Sequence, residues 1–251
     1  MWIITERKWT FLYFEKTYTI DSRDLDCFNV CRASALLGYL QDAAGLAAGE
    51  FRATNMEMVD KYNHCWMVIR TGYTLDKPLR WGDALTIKTW HRGGDKPLMY
   101  RDFDLFVDGK PIGQALAIWA LVNLEDHSMT RAERFPELQG TDGGELIRTT
   151  RLPKLKLLGN LAPLQRRGLR YSDTDGNGHV NNTRYADFLC DAAELQEAAP
   201  GIFVRALHID FLRECKAGET LTLLGCQGPD GFYGQGQDEQ GEARFQGYIK
   251  V

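Results

Sequence analysis

Apolar positions along the chain keep two periods. Across residues 182–198, Tyr185, Phe188, Leu189 and Ala192 recur at three- and four-residue intervals. That spacing places side chains on one buried helix face. Asn181 or Asn182 can cap the helix start, and Pro200-Gly201 ends it. Across residues 204–212 the period shortens to two: Leu207, Ile209 and Phe211 alternate with His208 and Asp210, as a half-buried strand requires. Residues 66–75, 84–90, 100–107 and 113–122 read as strands too. One long helix followed by four antiparallel strands predicts a helix wrapped by a curved sheet.

The plan occurs twice. Residues 24–44 and 173–193 align without a gap, so that Asp24 and Asp26 fall on Asp173 and Asp175. Leu40-Gln41-Asp42-Ala43-Ala44 falls on Leu189-Cys190-Asp191-Ala192-Ala193. Further on, Gly82-Asp83-Ala84-Leu85-Thr86-Ile87 resembles Gly218-Glu219-Thr220-Leu221-Thr222-Leu223. Hairpin turns at Asp108-Gly109-Lys110 and Gln240-Gly241-Glu242 form a third match. The order of these matches points to a duplicated domain. The stretch from about Arg131 to Asn160 holds Pro136, Gly140, Gly143, Gly144 and Pro153 and reads as the connection. The expected division is 1–135, a linker at 136–160, and 161–251.

Composition narrows the class. The apolar fraction is that of a globular protein, and a net charge of -4 argues against general nucleic-acid binding. Charged residues Glu6, Arg7 and Lys8 interrupt the N-terminus before any signal-like apolar core. The longest apolar run, 115–122, is too short to span a bilayer. Six cysteines form no CxxC pair and no zinc spacing, so reduced thiols in a cytoplasm are expected.

The densest chemistry lies in YSDTDGNGHVNN, residues 171–182. Asp173, Asp175, Asn177 and Gly178 imitate the start of a calcium loop. Position twelve of that loop should be a bidentate glutamate; here it is Arg184. No metal or cofactor is expected. Within the repeat, Asn177 falls on Phe28, His179 on Val30 and Glu214 on Pro78, whereas Asp175 falls on Asp26. The first copy lacks the polar groups but keeps the aspartate. Asp175 therefore has a candidate role in the loop backbone, as an Asx-type turn.

With these residues the chain resembles the acyl-acyl carrier protein thioesterases of plants and bacteria. The resemblance rests on WMVIRTGYTLDKPLRWGDALTIKTW in the first half, and on SDTDGNGHVNNTRYADF and LREC in the second. It implies an α+β double hotdog, two tandem helix-in-sheet units. The first would hold the acyl chain and the second would be catalytic. The start close to the first unit suggests a bacterial member. The family's catalytic Asp, Asn and His carry over to Asp175, Asn177 and His179, and its Glu to Glu214. Gly176 and Gly178 depart from the larger residues common in plant members. Implied partners are acyl carrier protein and its fatty acyl thioester, with no nucleic acid and no membrane span; a homodimer is left open.

Thioester hydrolysis needs a water or nucleophile, a base and an oxyanion site. Glu214 is the candidate base, His179 the proton carrier, and Asn177 a group to orient water or carbonyl. Backbone N–H groups of Val180 and Asn181, near a helix N-terminus, are the expected oxyanion donors. Cys215 is either a nucleophile or structural. Arg166, Arg167, Arg170, Arg213 and Lys216 form the candidate surface for the acidic carrier. His208 is expected to be a satisfied structural histidine, and Trp66, Trp81, Trp90 and Trp119 to pack cores or line the acyl tunnel. Acyl-coenzyme A hydrolysis and non-hydrolytic acyl binding are the alternatives.

Overall fold

The structure, a computed structural model, describes residues 13–95, 97–139, 151–199 and 201–251. The first half contains β1 (Phe14–Thr19), α1 (Ala33–Glu50), α2 (Asn55–Tyr62), β2 (His64–Leu75), β3 (Ala84–Asp95), β4 (Leu98–Val107), β5 (Lys110–Asn123) and the short β6 (Met129–Thr130). The second contains β7 (Ala162–Gly168), α3 (Arg184–Ala192), β8 (Ala206–Phe211), β9 (Thr220–Gln227), β10 (Phe232–Gln237) and β11 (Ala243–Lys250). Ten strands form one antiparallel path, β1-β3-β4-β5-β2-β8-β11-β10-β9-β7, and β6 pairs with β5. The order reads the same from either edge: β1 answers to β7, β3 to β9, β4 to β10, β5 to β11 and β2 to β8. This is the double hotdog.

Hydrogen bonds repeat along with the topology. Ile20 N–H donates to Asp83 O, and Leu169 N–H to Glu219 O. Gly82 N–H returns to Ile20 O, as Gly218 N–H does to Leu169 O. Both glycines hold positive φ, 84° and 94°, a conformation that costs glycine little.

The helices bury their apolar faces against the sheet and each other. From α1 these are Leu36, Leu37, Leu40, Ala43, Ala44 and Ala47; from α3, Tyr185, Phe188, Leu189 and Ala192. Close seating of α3 depends on glycine in the sheet. A Cβ added at Gly247 would lie 2.3 Å from Leu189 Cδ1.

Several elements differ from the sequence reading. The second helix is shorter than expected, because Ala192 is its last residue and Glu194 turns left-handed at φ 52°. Helix α2 was not foreseen; a capping box between Thr54 and Glu57 starts it. Trp81 packs no core and is 73% exposed. Pro200, residues 140–150 of the connection and residues 1–12 of the first unit lie outside the described residues.

The halves meet at β2 and β8, where Arg70 stands in register with Asp210. Arg70 Nε lies 2.5 Å from Asp210 Oδ1, and His208 Nε2 lies 2.9 Å from the same oxygen. Gln246 Nε2 and the Leu155 N–H each donate to Oδ2 at 2.8 Å. Arg70 Nη1 also donates to Leu152 O at 2.6 Å. The buried Asp210 thus joins both halves and the connection between them, and it gives His208 a hydrogen-bond partner. Burial pushes the Asp210 carboxyl up. Hydrogen bonds from His208, Gln246 and Leu155, with the Arg70 charge, outweigh it and hold the carboxyl down at about 2.

Asp210→Ala should lower stability by roughly 3–5 kcal/mol, because it strands Arg70 without its counter-ion. Urea unfolding at neutral pH reads this directly. The contribution is complete above the ordinary aspartate pKa of about 3.9 and is lost as pH falls toward about 2. The variant should therefore lose less stability than wild type across that acidic window.

Candidate active site

The DTDGNGHV loop is shaped by the same pattern of hydrogen bonds as its first-copy equivalent. Asp175 N–H donates to His179 O at 2.9 Å, and Gly178 N–H to Asp175 O at 3.0 Å. The Asp175 carboxylate accepts from Asn177 N–H at 2.9 Å. In the first copy, Asp26 N–H donates to Val30 O, Asn29 N–H to Asp26 O, and the Asp26 carboxylate accepts from Phe28 N–H. Asn29 and Gly178 occupy the same left-handed position, at φ 59° and 77°. Asp175 therefore organises the loop as Asp26 does in a copy without His or Glu.

That shaped loop brings His179 to Glu214. His179 Nε2 lies 3.1 Å from Glu214 Oε2, with side chains 30% and 49% exposed. The pair is open to water, and its protons can exchange with a bound molecule. Backbone pairing fixes the approach: Val180 N–H donates to Cys215 O at 2.8 Å, tying the residue after His179 to the residue after Glu214. The first copy makes the same tie between Cys31 N–H and Leu79 O. Its side chains at the two working positions are Val30 and Pro78. Asn177 is exposed on the loop, and its side-chain amide has no hydrogen bond among the described residues.

The same ties correct the oxyanion expectation. Val180 N–H is bound to Cys215 O, and Asn181 N–H to Asp173 O at 2.8 Å. Neither is available to a substrate. Asn181 closes an Asx-type turn just before α3, its Oδ1 accepting from the N–H and hydroxyl of Thr183, the residue that precedes the helix. Asn182 N–H has no partner among the described residues, and Asn182 lines a narrow cavity of about 30 Å³. The repeat held this signal, because Asn182 falls on the buried Ala33.

Other walls of the cavity include Leu37, Leu40 and Gln41 of α1, Phe103 of β4 and Trp119 of β5. Its interior side thus belongs mainly to the first unit. A larger cavity of about 280 Å³ lies on the opposite face of the sheet, between Gln114, His208 and the connection at Arg151 and Leu152. It is remote from the His179–Glu214 pair.

Cys215 is 0% exposed. Burial pushes its thiol pKa up, only partly offset by the hydrogen bond with Tyr185. A thiol held protonated and shielded is a poor nucleophile.

The basic cluster divides. Arg167 is held between Asp191 at 2.8 Å and Asp173 at 3.3 Å, over the Phe188 ring. It braces α3 and is not a free docking group. Arg166 pairs with Glu239, and Arg213 with Glu242; exposed pairs of this kind hold weakly. Arg170 and Lys216 are exposed, and their charged ends have no ion pair among the described residues. The Leu169–Glu219 pairing brings the segment of Arg170 to that of Lys216, two residues from Glu214.

Two family models match, the acyl-ACP thioesterase N-terminal domain over residues 12–134 and the C-terminal domain over residues 164–246. The chain belongs to the acyl-ACP thioesterase family, ACP being acyl carrier protein. It is 28% identical over 235 residues to an Arabidopsis thaliana chloroplastic palmitoyl-acyl carrier protein thioesterase, covering 85% of this chain and 55% of that one. It is 26% identical over 234 residues to a Cinnamomum camphora chloroplastic dodecanoyl-[acyl-carrier-protein] hydrolase, covering 85% and 59%. The chain spans little more than half the length of these relatives. Among solved structures, an acyl-ACP thioesterase from Bacteroides thetaiotaomicron superposes with TM-score 0.79 at 20% identity, covering 95% of this chain and 97% of that one. A 12:0-ACP thioesterase from Umbellularia californica gives 0.78 at 20% identity, covering 95% and 96%. Both share the fold.

Cys215→Ala should retain turnover within a few-fold of wild type in a steady-state thioesterase assay. Asp175→Ala should lower stability by about 1 kcal/mol, one intramolecular hydrogen bond, as well as rate. Asn177→Ala should leave the melting temperature unchanged. Parallel thermal melts of the two variants check that division.

Proposed function

We propose that the protein hydrolyses fatty acyl-ACP to free fatty acid and holo-ACP by direct attack of water. The carrying observation is the His179–Glu214 pair, built on a loop whose duplicate lacks both side chains. Membership of the acyl-ACP thioesterase family supports the substrate class.

A proton on His179 Nε2 suits the carboxylate facing it. The remaining Glu214 oxygen and His179 Nδ1 are then acceptors for a water proton. Water oxygen bonds to the thioester carbon, and its proton passes to the pair. The tetrahedral oxyanion is served by the Asn182 N–H and the Asn177 amide. Collapse breaks the C–S bond, and the pair returns the proton to the pantetheine sulfur. Placing the thioester near Asn182 directs its acyl chain toward the cavity under α1. A cavity of about 30 Å³ holds little more than one water, so its walls must part to admit a chain.

For the acidic carrier, Arg170 and Lys216 offer exposed positive charge on the segments next to Glu214. A cytoplasmic location fits the free thiols of all six cysteines, and no helix among the described residues is long and apolar enough to cross a membrane.

Glu214→Gln and His179→Ala should each reduce kcat by roughly 10²–10⁴ on acyl-ACP, with little change in melting temperature. Wild type should show a higher kcat/KM on acyl-ACP than on acyl-coenzyme A bearing the same chain. Preference for coenzyme A would reassign the carrier, and acyl binding without turnover would make the protein a binder.

A further inference from the structure

Two hydrogen-bond donor groups on the inner face of the first unit's sheet are under-satisfied: the Trp119 indole, which lines the cavity under α1, and the part-buried Arg101 guanidinium, which flanks the cavity wall. Arg101 lies in β4 between Met99 and Phe103, each 1% exposed. It stands in register with His91 of β3 and Ala117 of β5. Phe103 and Ala117 line the cavity. The guanidinium has five N–H donors. Its hydrogen-bond partner among the described residues is the Thr89 hydroxyl at 3.3 Å, which itself donates to Asp102 O at 2.8 Å. No carboxylate lies within ion-pair distance of it among the described residues. Two other largely buried arginines, on the opposite face of the sheet, differ: Arg70 has Asp210 and Arg92 has Asp102. Desolvation lowers the Arg101 pKa to about 10, so the group remains a cation at neutral pH.

The second donor is the Trp119 indole. Its Nε1 is buried without a partner, and Trp119 lines the cavity. Trp119 stands in register with Met99, which places it one diagonal step from Arg101. A buried unpaired donor costs about 1–3 kcal/mol, and more when charged. Plain hydrocarbon would remove the last water from Arg101 and supply no acceptor.

We propose that Arg101 and Trp119 form a receptor for an oxygen carried toward the far end of the acyl chain, a hydroxyl, keto or carboxylate group. This rests on the thioesterase reading above and adds a substrate preference to it. The direction follows from the strand order. The cavity wall runs from Phe211 of β8 through Thr71 of β2 and Trp119 of β5 to Phe103 of β4. A chain entering beside Asn182 passes Trp119 before it reaches Arg101. The carbonyl or carboxylate oxygen accepts from the guanidinium, and an oxygen nearer the middle of the chain accepts from the indole.

The test is a panel of carrier-bound chains of one length: dodecanoyl, ω-hydroxydodecanoyl, dodecanedioyl and, as a proximal control, β-hydroxydodecanoyl. Wild type should favour the two distally oxygenated chains over dodecanoyl by about 10–100-fold in kcat/KM, the equivalent of one charge-assisted hydrogen bond. The two distal arms distinguish carboxylate from hydroxyl. Arg101→Met should abolish or invert the preference, and Arg101→Lys should keep part of it. Equal rates across the panel, a preference confined to the β-hydroxy chain, or a preference unchanged in Arg101→Met would overturn the receptor. Turnover of none of the four would instead overturn the thioesterase reading. Calorimetry of wild type with free dodecanedioate and dodecanoate needs no variant to fold. Tighter binding of the diacid is expected, and equal affinity contradicts the proposal.

Discussion

The structure depends on the seam between β2 and β8. There one buried carboxylate, Asp210, answers a charge from the first half, a histidine from its own strand, an amide from β11 and a backbone N–H from the connection. Without the seam, each half would expose a strand edge with unpaired backbone groups. With it, two helix-in-sheet units become one continuous sheet. Cavity and candidate catalytic pair can then be supplied by different halves: the walls mainly from α1, β4 and β5, the His179–Glu214 pair from the second copy. The seam holds them in register.

Duplication separates scaffold from chemistry within one molecule. Asp26 and Asp175 make equivalent bonds to their loops, and Asn29 and Gly178 take the same left-handed turn. Those features do not depend on the polar side chains, because the first copy has them beside Val30 and Pro78. The additions in the second copy are Asn177, His179, Asn182 and Glu214. Each replaces an apolar residue at the equivalent position.

Features set by local pattern were legible in the sequence. The repeat, the Asx-like loop and the central strands follow from spacing; His179 and Glu214 were marked by the family resemblance, and only the folded chain sets them face to face. What was not legible depends on distant partners. Val180 and Asn181 were good oxyanion candidates as residues near a helix start. Their N–H groups were already committed to Cys215 O and Asp173 O, and only the folded chain shows such commitments. Arg167 read as a surface charge until Asp173, Asp191 and Phe188 enclosed it. Helix α2 was missed for another reason. Its capping signal, Thr54-Asn55-Met56-Glu57, was present, but one buried residue, Met58, in eight gives no period to detect.

Direct attack by water is the claim on which the functional account turns. Rapid-quench mass spectrometry of the intact protein, with excess acyl-ACP, tests it most directly. The account predicts free fatty acid released without a burst and a protein mass unchanged at every time. A burst equal to the enzyme concentration, with an acyl adduct on Glu214 or Cys215, would contradict it.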